Sequence, residues 1–294
     1  MARITVPEAE ALLDVEIPCL DKGFVRLVDY LGGDQRIVQA ARVSYGAGTK
    51  TVREDKGLIH YLLRNEHTSP FEQVVLTFHA KMPIFVARQW VRHRTARLNE
   101  ISGRYSIMRD EFYVPAAETL RVQSANNKQA RGDESLDPEA AAQIRAEMAD
   151  DQATIYAHYT QMLDQGLARE IARNNLPLSL YTEWYWQIDL HNLFRFLALR
   201  MDSHAQYEIR VYAEALAQCA RAVCPLAYEA FEEHLLGSVR FSRAELMALQ
   251  KMLDGGSEHG LSGRALAIFQ EKLDKMRAAV PADQGEEFVT PSAG

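Results

Sequence analysis

Apolar and polar positions alternate along residues 24–31, which predicts a strand with one buried face. Gly32-Gly33-Asp34 ends that run, and Asp34 is placed to cap a helix over residues 35–44. A second short helix is expected over 58–64, and residues 74–81 alternate again as a strand. Pro83 suits the first turn of a helix that runs to about Arg94. Residues 104–114 read as extended, ending at Pro115. From 116 to 136 the chain turns to Gln, Asn, Ser, Gly and charge, which predicts a mobile surface loop. Asp137-Pro138-Glu139 combines a cap, a first-turn proline and an acid at the positive helix end, so a long helix starts there and ends near Gly166. Next come a short helix to Asn174, an aromatic-rich strand over 178–188, and a helical stretch over 191–223 with a kink near Asp202-Ser203. Pro225 opens another helix, to Leu236. The run 255–260 is a linker to one more amphipathic helix, and 282–294 has the composition of a disordered tail.

Strands and helices mix without regular βαβ alternation, so the expected class is α+β, a mixed or antiparallel sheet packed with helices. No Gly-x-Gly-x-x-Gly follows a strand, which excludes a Rossmann turn. The expected organisation is a single main domain over 1–254 and a C-terminal extension over 255–294. No stretch is apolar enough to span a bilayer, and the first ten residues lack the basic end and apolar core of a signal peptide. Three cysteines, Cys19, Cys219 and Cys224, make no disulfide framework, and a reducing cytoplasm is expected. Cys219 and Cys224 lie in an apolar helical run and read as inert core thiols.

Charge changes the picture. The chain carries a formal net charge of −7, yet residues 88–109 hold six arginines, no lysine and one carboxylate, Glu100. A guanidinium grips phosphate or carboxylate through a planar fork, where an ammonium is a point charge. The segment reads as a pocket for a small anionic ligand. The plainer reading is a solvated basic face. Two features weigh against that: apolar flanks at Phe85, Val86, Trp90 and Val91, and short polar residues where Lys/Glu pairs would stand. On an ideal helix Arg88, Arg92 and Thr95 share one face and Gln89 and His93 the next, so Arg92, His93 and Arg94 point in three directions. An acidic chain has no general attraction for nucleic acid or an anionic membrane, so neither is an expected partner. A nucleic-acid module remains the competing reading, and would require a broad cationic surface with exposed aromatics. A phosphate-binding regulator without catalysis is a third.

Arg92-His93-Arg94, seven residues and then Ser102 resemble the signature of the flavin-dependent thymidylate synthases. The match runs on through Asn99-Glu100 and Ser102-Gly103-Arg104-Tyr105-Ser106, and upstream through Ser69-Pro70-Phe71-Glu72 and 83–90. A second block, 176–182 with 197–200 and Asp202-Ser203-His204-Ala205-Gln206, is similar to the family too, and the resemblance covers residues 21–235. It implies a homotetramer with shared sites that methylates dUMP to dTMP. The one-carbon unit would come from 5,10-methylenetetrahydrofolate and the reducing equivalents from NADPH through FAD.

The resemblance also assigns residues. Ser69, Arg92, His93, Arg94, Glu100, Asp189, His191 and Arg195 fall at the flavin, the last three where the family varies. Gln89, Arg92, Glu100, Ser102, Gly103, Arg104, Arg173 and Arg200 fall at dUMP, with Arg173 reaching from a neighbouring subunit and Arg200 helping to ionise the pyrimidine. The residues permit more than one role. Gly103 lets backbone N–H groups approach a phosphate. Glu100 either accepts from the nucleotide or pairs with Arg97 or Arg104. Ser102 lacks a nucleophile elbow, so hydrogen bonding is the expected role. Ser69 is a flavin turn or an ordinary helix cap. Arg200 lies about 140° round the helix from Arg195, so the two meet different ligands. His204 and Glu208 continue the Arg200 stripe at i+4 and i+8; no third ligand is near in sequence, so they are expected to hold Arg200 rather than a metal.

Overall fold

The computed structural model describes residues 4–43, 52–124, 131–256 and 260–279; the expected tail 282–294 lies outside them. The described chain divides into two units, Met1–Phe231 and Glu232–Gly294. The first runs α1 (Pro7–Glu10), β1 (Glu16–Cys19), β2 (Gly23–Leu31), α2 (Asp34–Arg42), α3 (Val52–Arg64), β3 (Val75–Pro83), α4 (Ile84–Trp90), β4 (Ala96–Glu100), β5 (Arg121–Gln123) and β6 (Arg131–Ser135). It continues with α5 (Pro138–Asp164), α6 (Arg169–Ala172), β7 (Tyr181–Asp189), α7 (Leu190–Arg200), α8 (Tyr207–Val223) and α9 (Pro225–Phe231).

Five strands form one antiparallel sheet in the order β1-β2-β3-β7-β4, as the α+β expectation requires. On β7 the alternation is enforced by burial. Trp184, Trp186 and Ile188 face the core, while Glu183, Tyr185 and Gln187 face away. Phe78 stands opposite Trp186 and Ala80 opposite Trp184, so β3 and β7 present one apolar surface. Helices α4 and α7 cover it, while α8 packs against β1 and β2. Trp90, the last residue of α4, is fully buried, with ring centres 5.4 Å from Trp184, 5.1 Å from Trp186 and 5.2 Å from Phe196. Such pairs add about 0.5–1.5 kcal/mol each beyond area burial, so the chain entering the arginine segment is anchored at Trp90.

Four expectations need correction, and one strand was not expected. First, α4 stops at Trp90 rather than near Arg94, so Arg92, His93 and Arg94 sit on a turn and the ideal-helix spacing does not apply to them. Like charges at Arg88 and Arg92, four apart, disfavour continuing the helix. Second, residues 96–100 form an edge strand paired with β7. Third, 104–114 is mostly irregular chain rather than a strand, with one antiparallel bridge, Phe112 to Leu180, just ahead of β7. Fourth, the loop expected over 116–136 contains a hairpin, β5 against β6. Fifth, Asp34 does not cap its own helix: Gly33 is the N-cap of α2, with no side-chain bond. Its carboxylate accepts instead from Leu226 N and Ala227 N, both at 2.9 Å, in the first turn of α9. Burial pushes this carboxyl up to about 6.

Asp137 does cap α5, accepting from Glu139 N and Ala140 N. The break in the 191–223 helix is a full interruption between Arg200 and Tyr207. Cys19, Cys219 and Cys224 are buried free thiols; burial raises Cys19 and Cys219 to about 12 and Cys224 well above its ordinary value.

The second unit opens with a π-helical turn, Glu232–Leu236. It contains α10 (Arg243–Leu253), started by a Ser242/Glu245 capping box, and α11 (Gly263–Ala279). Ala248, Phe269 and Leu273 form its core, and Lys272 bonds Glu245 at 2.7 Å. This unit begins upstream of the 255–260 run. Among the described residues, no helix is long and apolar enough to cross a membrane.

Candidate active site

The end of α7, the turn after α4 and the edge strand β4 converge. Arg200 closes α7. Its Nε donates to His93 Nε2 at 3.1 Å and its Nη2 donates to the Gln89 carbonyl at 2.9 Å. Both acceptors are neutral. His93 is kept so by burial first and then by Arg200 and Arg195, which together lower it to about 4. With Nε2 accepting, the ring proton sits on Nδ1. Burial also lowers the Arg200 pKa, but a guanidinium stays charged. Arg200 is thus held by two hydrogen bonds without having its charge cancelled.

The arginines leading into β4 are likewise open. Among the described residues no carboxylate is ion-paired with Arg88, Arg92, Arg94 or Arg97, and all four are exposed. Four uncompensated cations within ten residues repel one another, and a bound anion would relieve this.

Glu100 ends β4 opposite Trp184, on the core side of the sheet. Its Oε1 accepts from the buried Thr182 hydroxyl at 2.6 Å, so neither alternative pairing, with Arg97 or with Arg104, is made. The turn that follows is tight. Ser102 Oγ accepts from Arg104 N at 3.3 Å, and Ser102 O accepts from the backbone N–H groups of Tyr105 and Ser106. A Cβ at Gly103 would stand 2.9 Å from Met108 Sδ and 3.0 Å from Arg173 Cδ, so any side chain there would displace one of these two from the turn. Arg173 of the same chain therefore already lies beside this turn. Arg104 pairs with Glu170 at 3.1 Å, both well exposed. Arg104 and Glu170 also line a hollow of about 550 Å³ with Tyr105 and Arg169.

Other predicted positions are placed separately. Ser69 is exposed, just before the 3-10 turn Phe71–Gln73 that packs on α7 through Phe71 and Phe194. Asp189 caps α7, accepting from Asn192 N at 2.9 Å and Asn192 Nδ2 at 2.8 Å. His191 is half-buried in the first turn of α7 and Arg195 exposed one turn on. The expectation that His204 and Glu208 hold Arg200 fails, because the helix is interrupted between them and Arg200. His204 Nδ1 meets Asp202 at 2.8 Å. Glu208 is buried and takes Arg131 of β6, Tyr113 Oη at 3.1 Å and Gln206 Nε2 at 2.8 Å. Gln206 in turn accepts from Gln89 Nε2. Sequence reasoning missed Thr182, Gln206 and Arg131 as site supports. Thr182 and Gln206 lay inside quoted motifs, but nothing local shows which atoms they meet.

An antiparallel α+β unit that gathers positioned, uncompensated arginines at one sheet edge has the build of a protein that handles phosphorylated small molecules. The family model for the thymidylate synthase complementing protein matches residues 26–226, and that for the thymidylate synthase ThyX C-terminal domain matches 239–279. A flavin-dependent thymidylate synthase of Treponema denticola is 60% identical over 90% of this chain and 99% of its own length; one of Thermus thermophilus is 60% identical over 87% and 95%. The crystal structure of a UMP/dUMP methylase, PolB of Streptomyces cacaoi, bound with 5-Br UMP, superposes with a TM-score of 0.67 at 33% identity, over 74% of this chain and 97% of PolB. The chain belongs to the flavin-dependent thymidylate synthase family. It is an enzyme that makes thymidylate with a flavin.

Proposed function

We propose that this chain converts dUMP to dTMP with 5,10-methylenetetrahydrofolate as one-carbon donor and NADPH as reductant, using FAD, as a cytoplasmic homotetramer with shared sites. The observation that carries the reading is Arg200, fixed by the neutral His93 ring and the Gln89 carbonyl with its charge unspent. Negative charge developing on a uracil ring beside it is stabilised without reorganisation, which is how preorganised dipoles and cations lower a barrier. The turn at Ser102-Gly103-Arg104, with Arg173 against it, brings two guanidinium forks together for the nucleotide phosphate. Glu100, oriented by Thr182, keeps a carboxylate oxygen for a ribose or ring donor.

The chemistry of the donors fits a flavin dinucleotide: Arg92, Arg94 and Arg195 are exposed cations matched to its phosphates, and Ser69, Asp189 and His191 stand at the adjoining turn and helix start. When bound, the flavin supplies the hydride. The three cysteines are buried and protonated, so no thiolate serves as nucleophile.

Purified protein should release dTMP only when dUMP, FAD, NADPH and methylenetetrahydrofolate are all present, and light scattering should give four chains per particle. Full turnover without flavin would overturn the reading; an active monomer would overturn the shared sites.

A further inference from the structure

Glu208 is 3% exposed, and its carboxylate is surrounded by donors. Arg131 donates to both oxygens, Tyr113 Oη donates to Oε1, and Gln206 Nε2 donates to Oε2. A carboxylate only accepts, while a glutamine amide has one accepting and one donating end. Glu208 therefore allows the Gln206 amide a single orientation, nitrogen inward and carbonyl outward. That carbonyl accepts from Gln89 Nε2, which orients the second amide in the same way. Gln89 keeps its own carbonyl oxygen and one N–H for other partners, next to Arg200, which bonds the Gln89 backbone carbonyl.

We propose that Glu208 is a positioning residue: acting through Gln206, it fixes which end of the Gln89 amide meets the nucleotide, and so sets the affinity for dUMP without touching it. This rests on the reading that Gln89 faces dUMP. An unconstrained glutamine amide samples both orientations, and the wrong one sets donor against donor or acceptor against acceptor. The ion pair with Arg131 alone would hold hairpin β5–β6 to α8 whichever way Gln206 pointed. The relay specifically requires the order carboxylate, amide, amide.

Four variants of the flavin-loaded enzyme test this, with dUMP binding read from the flavin absorbance change and with KM and kcat measured separately. Gln206→Met and Glu208→Gln should each raise the dissociation constant and KM for dUMP about tenfold, with kcat at saturating dUMP near the unmodified value. The double swap Glu208→Gln/Gln206→Glu places a carboxylate at position 206 that accepts from both neighbours. It restores the Gln89 orientation and should bring dUMP affinity back to within about threefold. If Gln206→Met binds dUMP normally while Gln89→Met does not, the relay is refuted. If the swap is no better than Glu208→Gln alone, Glu208 acts only through its ion pair, and the proposal falls. If Gln89→Met itself binds dUMP normally, Gln89 does not face the nucleotide, and both the underlying reading and the relay are wrong.

Discussion

Arg200 and Arg131 are both arginines held by named partners, and they are held in opposite ways. Arg131 meets a buried carboxylate, so its charge is cancelled and it fastens hairpin β5–β6 to the start of α8. Arg200 meets an imidazole nitrogen and a carbonyl, so it is located just as firmly while its charge stays available. The contrast teaches how to separate a structural arginine from a working one: the question is whether the partner is charged. Arg88, Arg92, Arg94 and Arg97 have no carboxylate partner among the described residues and so keep their charge as Arg200 does, while Arg109, paired with Glu183 at 3.0 Å, belongs with Arg131.

Four measurements press on this contrast. The largest effect is expected at Arg200: Arg200→Ala should slow oxidation of the reduced flavin at saturating dUMP by about 10²–10³-fold, the scale of losing one preorganised charge-stabilising donor. Arg200→Lys should recover little, because an ammonium cannot bond His93 and the Gln89 carbonyl and still face the ring. A wild-type single-turnover rate for Arg200→Ala would reduce Arg200 to a binding residue. Arg131→Ala should act on stability instead, costing about 2–3 kcal/mol by denaturant titration. That is below the figure for a fully buried pair because Arg131 is 31% exposed. Unchanged stability would mean that Tyr113 and Gln206 satisfy Glu208 unaided.

Arg104 lies between the two types, with a partner that is charged but exposed, Glu170. Arg104→Ala should weaken dUMP binding by about 1.5 kcal/mol, roughly tenfold, the low end for a charged hydrogen bond since Glu170 competes for the same guanidinium. It should leave kcat nearly intact, as a uniform binding interaction does. The last measurement is a pH dependence at His93. Its folded pKa, about 4, lies below the ordinary 6.5. Between those values the unfolded chain binds more protons, so stability falls as pH drops through the window and levels off below about 4. His93→Gln should flatten that acid slope. Asp34 works the other way: its value is raised from 3.8 to about 6, so its contribution is lost as pH rises through 6, and the His93 slope should be read against Asp34→Asn. An unchanged slope in His93→Gln would show that His93 takes no part in it.

What could be read from the sequence follows burial. Strands at 24–31, 74–81 and 178–188 were legible because one face of each packs on helices, and packing enforces alternation. Edge strand β4 was not, because Ala96–Glu100 has an almost fully exposed pattern and only its pairing with β7 makes it a strand. The polar hairpin β5–β6 escaped for the same reason. At Asp34 the capping chemistry was read and the partner was not, since the amides it serves lie 192 and 193 residues on. In the candidate site, residue types and blocks were visible, but the acceptors of Arg200 were not. That His93 serves Arg200, and that Glu208 serves Gln206 rather than Arg200, depends on where α4 and α7 end, which short-range spacing does not encode.

The burial of Cys19, Cys219 and Cys224 has a practical consequence at the bench. Thiol labelling reagents need an accessible thiolate, and here every native thiol is enclosed and holds its proton far above neutral pH. The chain is in effect a cysteine-silent background. One cysteine introduced on the exposed face of α5, for example Asp150→Cys, would accept a maleimide fluorophore or spin label in the native enzyme while the three original side chains remain in place.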